Sequence, residues 1–434
     1  MSSPRPILIR GGRVIDPASR VDAPRDVLLR DGKVAAIEPP GKIKSSGVEI
    51  VDAKGLVVAP GLIDIHVHLR EPGQSYKETI ATGTAAAAAG GFTTVCAMPN
   101  TVPVNDAPEI TRWMQARERG AAIRVLPIAA ATRGSKGEAV TDYAALKDAG
   151  AVAVTDDGRP ILGDAIMLDS LRAAAAVGLP VIQHAEDTRL SEGASMNAGA
   201  LAFRLGLRGM PIEAESSLVE RDIDLVRQVP RAHLHVAHIS TRKALDAVRR
   251  ARRDGLRVTC EITPHHFALT EERVSLYDCN AKMNPPLRAE SDRAAMIEGL
   301  LDGAIDAIAT DHAPHAAHEK EQEFSLAPNG ITGLESALGL AIRILHAQHK
   351  MPLAKVVALL TTGPAQALGL KGLGNLAIGS SADVVVFDPA EAWTFRAADS
   401  RSRSKNTPFD GWEMQGRVHL TISQGRIGYQ FSAV

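Results

Sequence analysis

From about residue 59 the chain repeats one unit: a short apolar run, a turn marked by polar residues or Gly/Pro, then an Ala/Leu-rich stretch of helical texture. The strand candidates are Leu62–Leu69, Thr93–Met98, Ile123–Ala129, Ala151–Asp156, Pro180–His184, Ala232–Ile239, Leu256–Thr263 and Ala304–Thr310. Helical stretches lie between and after them, among them Lys77–Ala89, Asp164–Val177, Ser240–Arg253 and Leu334–His349. Eight alternations of strand and helix predict a parallel sheet closed into a (β/α)8 barrel. The chain has 434 residues, and such barrels often use about 250, so both flanks remain to be placed. Hydrophobic residues reach 45% but aromatics only 3%, which leaves Ala, Val, Leu and Ile to fill the core.

The flanks have another texture. Residues 7–57 contain Ile7-Leu-Ile-Arg-Gly-Gly-Arg-Val-Ile and Val27-Leu-Leu-Arg-Asp-Gly-Lys-Val-Ala-Ala-Ile, a hairpin pattern with Asp-Gly at its turn. Residues 372–434 contain Ala382-Asp-Val-Val-Val-Phe-Asp and Val418-His-Leu-Thr-Ile-Ser-Gln-Gly-Arg. Either flank alone has few strands and a small core and would be marginal. Together they are expected to form one small β-rich domain, giving a division into residues 1–58, 59–367 and 368–434, with the barrel in the middle.

In a barrel of this kind the active site lies at the C-terminal strand ends. The first strand ends in His66-Val-His68, followed by Leu-Arg-Glu-Pro-Gly73. Residues two apart on a strand point the same way, so both imidazoles can aim at one divalent metal. Asp156 and Asp157 end strand four, His184 strand five, His238 strand six and Asp311 strand eight. Ligand-type residues scattered over 245 positions therefore converge on one mouth. Strand alternation puts Asp157 with Ala151, Ala153 and Thr155, away from Val152 and Val154, so Asp157 is the one expected to face the mouth. It likewise puts Asp311 with Ala307 and Ala309. Strand six stays open, because His238 shares a face with Leu234 and Val236 while His235 sits with His233 and Ala237. His233, His235, His265 and His266 read as hydrogen-bonded core or rim histidines.

A formal charge of -1 offers no basic field for nucleic acid and no acidic tail. The Arg249–Arg253 run lies in a helical stretch and reads as a solvated face. Three cysteines, Cys96, Cys260 and Cys279, argue against a disulfide framework. Met1-Ser-Ser-Pro-Arg-Pro lacks the apolar core of a signal peptide, and no apolar run reaches membrane-spanning length. A soluble, cytoplasmic protein is expected.

Several segments together resemble the dihydroorotases of the amidohydrolase superfamily. They are His66-Val-His-Leu-Arg-Glu-Pro-Gly73, Gly90-Gly-Phe-Thr-Thr-Val95, Met98-Pro-Asn-Thr101, Thr155-Asp-Asp-Gly158, His184-Ala-Glu186, His235-Val-Ala-His-Ile-Ser-Thr241, Lys282-Met-Asn-Pro-Pro-Leu-Arg288, Thr310-Asp-His-Ala-Pro-His315 and Pro328-Asn-Gly-Ile331. The resemblance implies a zinc-dependent cyclic amidohydrolase that interconverts dihydroorotate and N-carbamoyl-aspartate in pyrimidine synthesis. It implies one or two zinc ions: His66, His68 and Asp311 at the more buried, His184 and His238 at the second. Asp157 stands where many relatives carry a carboxylated lysine that bridges both metals, a departure shared with one bacterial branch. It further implies substrate contacts from His68, Arg70, Asn100 and His315, and from Asn284 and the Asn329-Gly330 backbone to the ring. A homodimer and association with aspartate carbamoyltransferase are implied as possible partners.

The residue types suit that chemistry. A zinc ion lowers the pKa of water to about 7, and a second ion roughly 3.5–4 Å away polarises a carbonyl. Asp311 is expected to act as general base and then as acid to the leaving nitrogen, and Arg70 offers a planar fork for a carboxylate. Two other readings compete. An allantoinase or hydantoinase has the same fold and metals, but Arg70 with Asn100, and the lack of a candidate lysine on strand four, count against it. An inactive dihydroorotase-like partner of a carbamoyltransferase would have lost ligands that this chain keeps. The stretches Thr263–Ala289 and Ala313–Gly333 are long for connections and are candidates for covering the substrate.

Overall fold

The computed structural model describes residues 5–116 and 119–432. Residues 1–4, part of the segment read above as no signal peptide, lie outside the described residues.

The N-terminal flank supplies β1 (Ile7–Asp16), β2 (Val21–Arg30), β3 (Lys33–Glu38), β4 (Glu49–Asp52) and β5 (Val57–Pro60). Asp31 and Gly32, at φ 51° and 70°, make the turn between β2 and β3. Both central residues at positive φ are what a two-residue hairpin turn requires.

The barrel follows as β6 (Leu62–Val67), β7 (Phe92–Ala97), β8 (Arg124–Pro127), β9 (Ala129–Ala130), β10 (Val154–Thr155) and β11 (Val181–Gln183). A small parallel pair, β12 (Met196–Asn197) and β13 (Gly209–Met210), interrupts it before β14 (Leu234–Val236), β15 (Val258–Ile262) and β16 (Ala307–Ile308). The pairing runs β6-β7-β8 and then β9-β10-β11-β14-β15-β16, all parallel. Only Ile128 separates β8 from β9, so these are two halves of the expected third strand. The seam between last and first strands is closed by His68 N–H donating to His312 O at 2.9 Å.

The C-terminal flank adds β17 (Val384–Thr394), β18 (Glu413–Ser423) and β19 (Arg426–Gln430). β17 pairs antiparallel with β5, so both flanks build one eight-stranded sheet in the order β19-β18-β17-β5-β1-β2-β3, with β4 beside β1. Ile9, Val27 and Val58 from one flank share a buried cluster with Val384, Val386 and Ile422 from the other. Merging the sheets solves the small-core problem of each piece.

Three elements are shorter than their sequence suggests, each for a local reason. The fourth strand spans Val154–Thr155, because the Asp156 side chain turns to accept from Thr132 N–H at 2.9 Å. The first helix starts at Ile80 rather than Lys77; Thr79 caps it by accepting from Thr82 N–H at 3.0 Å. The stretch 334–349 is helical over Ala337–Ala341 and widens into a π-helix over Ile342–Gln348, packed on Met414 and Gly416 of the C-terminal flank. Among the described residues no helix is long and apolar enough to cross a membrane, and all three cysteines are free thiols.

Candidate active site

The C-terminal strand ends open into a cavity of about 280 Å³ lined by His68, Arg70, Asn100, Asp157, His184, His238, Asn284, Asp311, His315 and Asn329. His66 lies beneath it, fully buried. Asp157 is central: Oδ1 is 3.4 Å from His66 Nε2, 3.7 Å from His184 Nδ1 and 3.8 Å from His238 Nε2, while Oδ2 is 3.5 Å from His68 Nε2. Asp311 Oδ1 lies 3.0 Å from His68 Nε2 and 3.5 Å from His66 Nε2. Three overlapping groups have ligand atoms close enough to share an ion: His66, His68 and Asp157; His66, His238 and Asp311; and Asp157, His184 and His238. Asp156 is absent from all of them and holds the Thr132 loop instead.

Backbone geometry explains how several of these side chains reach the mouth. Arg70, His238 and Asp311 have φ of 61°, 31° and 44°. Positive φ is costly for residues other than glycine and persists where the surroundings impose it. β14 ends at Val236 and β16 at Ile308, so alternation along a strand does not extend to His238 or Asp311. A left-handed turn of the backbone re-aims each one.

Electrostatics and unsatisfied atoms give the same picture. Burial disfavours charge on Asp157 and Asp311, but the surrounding histidines, His66 foremost, outweigh it and hold both carboxyls well below the usual range. Burial also opposes a charged His66, yet Asp311, Asp157 and Glu261 push its pKa well above the ordinary value. His66 Nε2 and Asp157 Oδ1 are buried without a hydrogen-bond partner. Buried polar atoms are normally satisfied. Two orphans in a His/Asp cluster fit a divalent cation well.

The remaining expected residues ring this cluster. Asn100 Oδ1 is 2.8 Å from His68 Nδ1. Arg70 is buried; its Nε donates to Pro314 O at 3.1 Å, and its Nη2 is 3.3 Å from His315 Nε2. Burial, with Arg70, Lys77 and Lys320 nearby, lowers the His315 pKa to about 2, so the ring is neutral. Asn284 Nδ2 donates to Glu186 Oε2 at 2.7 Å. Gly330 has φ 153°, and a Cβ there would meet Ala313 O at 2.6 Å and His315 Cδ2 at 2.7 Å. His266 is a core histidine bonded to Thr263 and Pro285 O, and burial lowers its pKa to about 4.

Sequence reading missed three supporting residues. Glu186 Oε2 is 2.8 Å from His184 Nε2, and Glu261 Oε1 is 2.7 Å from His66 Nδ1. Asn406, from the C-terminal flank, accepts from His315 N–H at 2.9 Å and donates to Ala313 O and Gly330 O at 3.0 Å. The HAE motif and the Thr259/Glu261 alternation were signals for the glutamates; nothing local marks Asn406.

A (β/α)8 barrel with this His/Asp mouth and a composite β domain is the architecture of the amidohydrolases, and the Amidohydrolase family model matches residues 325–429. The structure resembles L-hydantoinase (dihydropyrimidinase) from Arthrobacter aurescens, with TM-score 0.87 and 23% identity over 99% of this chain and 97% of that one. It also resembles dihydropyrimidinase from Brevibacillus agri NCHU1002, with TM-score 0.83 and 24% identity over 98% and 96%. These likenesses carry the fold alone. The Dihydro-orotase-like model matches residues 55–244. A dihydroorotase of Solibacter usitatus is 50% identical over 97% of both chains, and one of Syntrophotalea carbinolica is 49% identical over 98% of this chain and 99% of its own. The chain belongs to the dihydroorotase family.

Proposed function

We propose that the protein is a zinc-dependent dihydroorotase, interconverting dihydroorotate plus water and N-carbamoyl-L-aspartate in pyrimidine biosynthesis. The observation that carries this reading is near-50% identity to dihydroorotases along the whole chain. Arg70 in the pocket supports it, because a guanidinium fork suits the ring carboxylate that a neutral cyclic amide lacks.

His66, His68 and Asp311 would hold one zinc and His184 and His238 a second, with Asp157 between them. When bound, zinc polarises the ring carbonyl and acidifies water. The ionised Asp311 takes a proton from the attacking water as its oxygen joins the carbonyl carbon. When the C–N bond breaks, Asp311 returns that proton to the leaving nitrogen; the reverse path closes the ring. Arg70 binds the carboxylate, with the neutral His315 beside it assisting. Asn100 holds His68 in place, and Asn284, whose amide N–H is taken by Glu186, keeps its carbonyl for a ring N–H. The Asn329 backbone would face the ring, with Gly330 beside it held by its N–H to Lys282 O at 3.0 Å. Homodimer formation, association with aspartate carbamoyltransferase and a cytoplasmic location, where thiols stay reduced, belong to the same proposal.

The test is metal content together with turnover of dihydroorotate, hydantoin and allantoin by the purified protein. Zinc and a clear preference for dihydroorotate are expected. Preference for hydantoin or allantoin would assign the site to a neutral cyclic amide, and a protein without zinc or turnover would be an inactive homologue.

A further inference from the structure

Glu261 lies on β15, fully buried inside the barrel. Its two oxygens have different partners. Oε1 is 2.7 Å from His66 Nδ1, and Oε2 is 3.3 Å from His235 Nε2. His235 Nδ1 is in turn 2.8 Å from Thr259 Oγ1, which is 3.0 Å from His233 Nε2. A row of polar groups therefore runs from beneath the mouth down the inside of the barrel, away from the cavity. None of its members lines the pocket, and His66 at its upper end lies just beneath it.

We propose that Glu261 is a positioning residue for the metal centre: it fixes the His66 ring so that Nε2 faces Asp157 and Asp311. The inference rests on the reading of His66 as a metal ligand.

A carboxylate has acceptors and no donors, so the short contact requires the proton on His66 Nδ1. In the uncharged ring that a bound metal requires, this tautomer leaves a lone pair on Nε2, the atom that lies 3.4 Å from Asp157 and 3.5 Å from Asp311 and has no hydrogen-bond partner. Fixing the outer nitrogen of a ligand histidine by a carboxylate sets both ring orientation and basicity. A buried carboxylate is costly unless fully partnered, and His235 supplies the second partner here. His235 is held from behind by Thr259, so Glu261 cannot swing away from His66 without stranding a polar group. β6 and β15 lie on different parts of the barrel wall, and the contact crosses its interior over 195 positions of sequence. A residue serving the fold alone would have no reason to take up this one nitrogen of this one histidine.

The experiment compares metal-free wild type, Glu261→Gln, Glu261→Asp and His66→Ala, all prepared by chelation. Zinc affinity is measured by competition with a chromophoric chelator, and site geometry by the absorption bands of bound Co²⁺. Glu261→Gln keeps size but loses the obligate acceptor; Glu261→Asp keeps charge but withdraws it by one methylene from His66. Both are expected to bind zinc about 10–100-fold more weakly than wild type, the usual range for losing such a partner, with altered Co²⁺ bands. Wild-type affinity and spectrum in either folded variant would overturn the proposal, so it stays testable if one of them fails to fold. Should His66→Ala bind zinc as tightly as wild type, the ligand assignment itself fails, a result distinct from failure of the Glu261 role.

Discussion

Asp156 and Asp157 are neighbours in sequence, both buried, and bonded to entirely different parts of the molecule, so replacing each with alanine separates stability from chemistry. Asp157 has four histidine nitrogens within 3.4–3.8 Å. Removing it deletes an acidic group shared by two of the three ligand groups. Loss of a partner that only supports a ligand costs about 10–100-fold in metal affinity, so losing a ligand itself should cost at least about 100-fold. Turnover should fall by on the order of 10²–10³-fold or more, as when one aligned electrostatic contact is lost in a water-excluded site. Asp156 accepts from the Thr132 backbone at 2.9 Å and from its hydroxyl, and belongs to none of the ligand groups. Asp156→Ala strands a buried N–H and a buried hydroxyl of Thr132, each a penalty of about 1–3 kcal/mol. It should lower the melting temperature by a few degrees while metal content and turnover per folded molecule stay near wild type. The assays are zinc per subunit, kcat and thermal unfolding on both variants. Equal losses of zinc in the two, or a larger loss in Asp156→Ala, would refute the assignment of these side chains.

Other outcomes follow from the same geometry. His66→Ala or His68→Ala should lose zinc and activity together; full zinc in both by metal analysis would dismiss them as ligands. Asp311→Asn should nearly abolish turnover in both directions, whereas Arg70→Lys should keep zinc and mainly raise KM for dihydroorotate, since an ammonium cannot reproduce the two-pronged pairing. An unchanged KM in Arg70→Lys would detach Arg70 from the substrate. His233 and His266 are neutral in the fold, held down to about 3 and about 4 by burial, against about 6.5 in an unfolded chain. The unfolded state therefore takes the proton first, and stability should fall as pH drops below about 6.5, by up to about 1.4 kcal/mol per pH unit for each ring. Urea unfolding at pH 5 and 7 should show a smaller drop for His233→Gln than for wild type; an identical drop would mean that His233 does not contribute.

Much of the architecture was readable in the sequence, because a parallel barrel repeats its apolar strands and its mouth collects their ends. The position of Asp157 against Asp156 was readable too: both lie past the last strand residue, Thr155, but neither has a left-handed backbone, so the alternation carries over. Alternation gave no valid argument for His238 and Asp311, although both reach the mouth. Their strands have already ended, and a left-handed backbone at φ 31° and 44° decides where they point. Such a conformation is imposed by tertiary surroundings and leaves no local pattern. The third strand looked continuous but breaks at Ile128, and the fourth shrinks to two residues. Asn406 had no local mark, and Glu261, though its strand alternation was visible, gave no sign of its partner, for a different reason. Their partners lie 195 positions away for Glu261, and 91, 93 and 76 positions away for Asn406. No periodicity encodes such a contact.

The contribution of Asn406 bears on how the enzyme comes into being. Chains are made from the N-terminus, and domains commonly fold as they emerge. All eight barrel strands, and with them every candidate ligand, precede residue 312, yet the wall formed by His315, Ala313 and Gly330 is tied in place from residue 406. A nascent barrel could thus gather its ligands while the side of the pocket built from His315, Ala313 and Gly330 was still loose. Competence to bind substrate would arrive only after residue 406 had been made, about a hundred residues later than the last ligand, which separates the gathering of the ligands from the setting of the pocket wall in time.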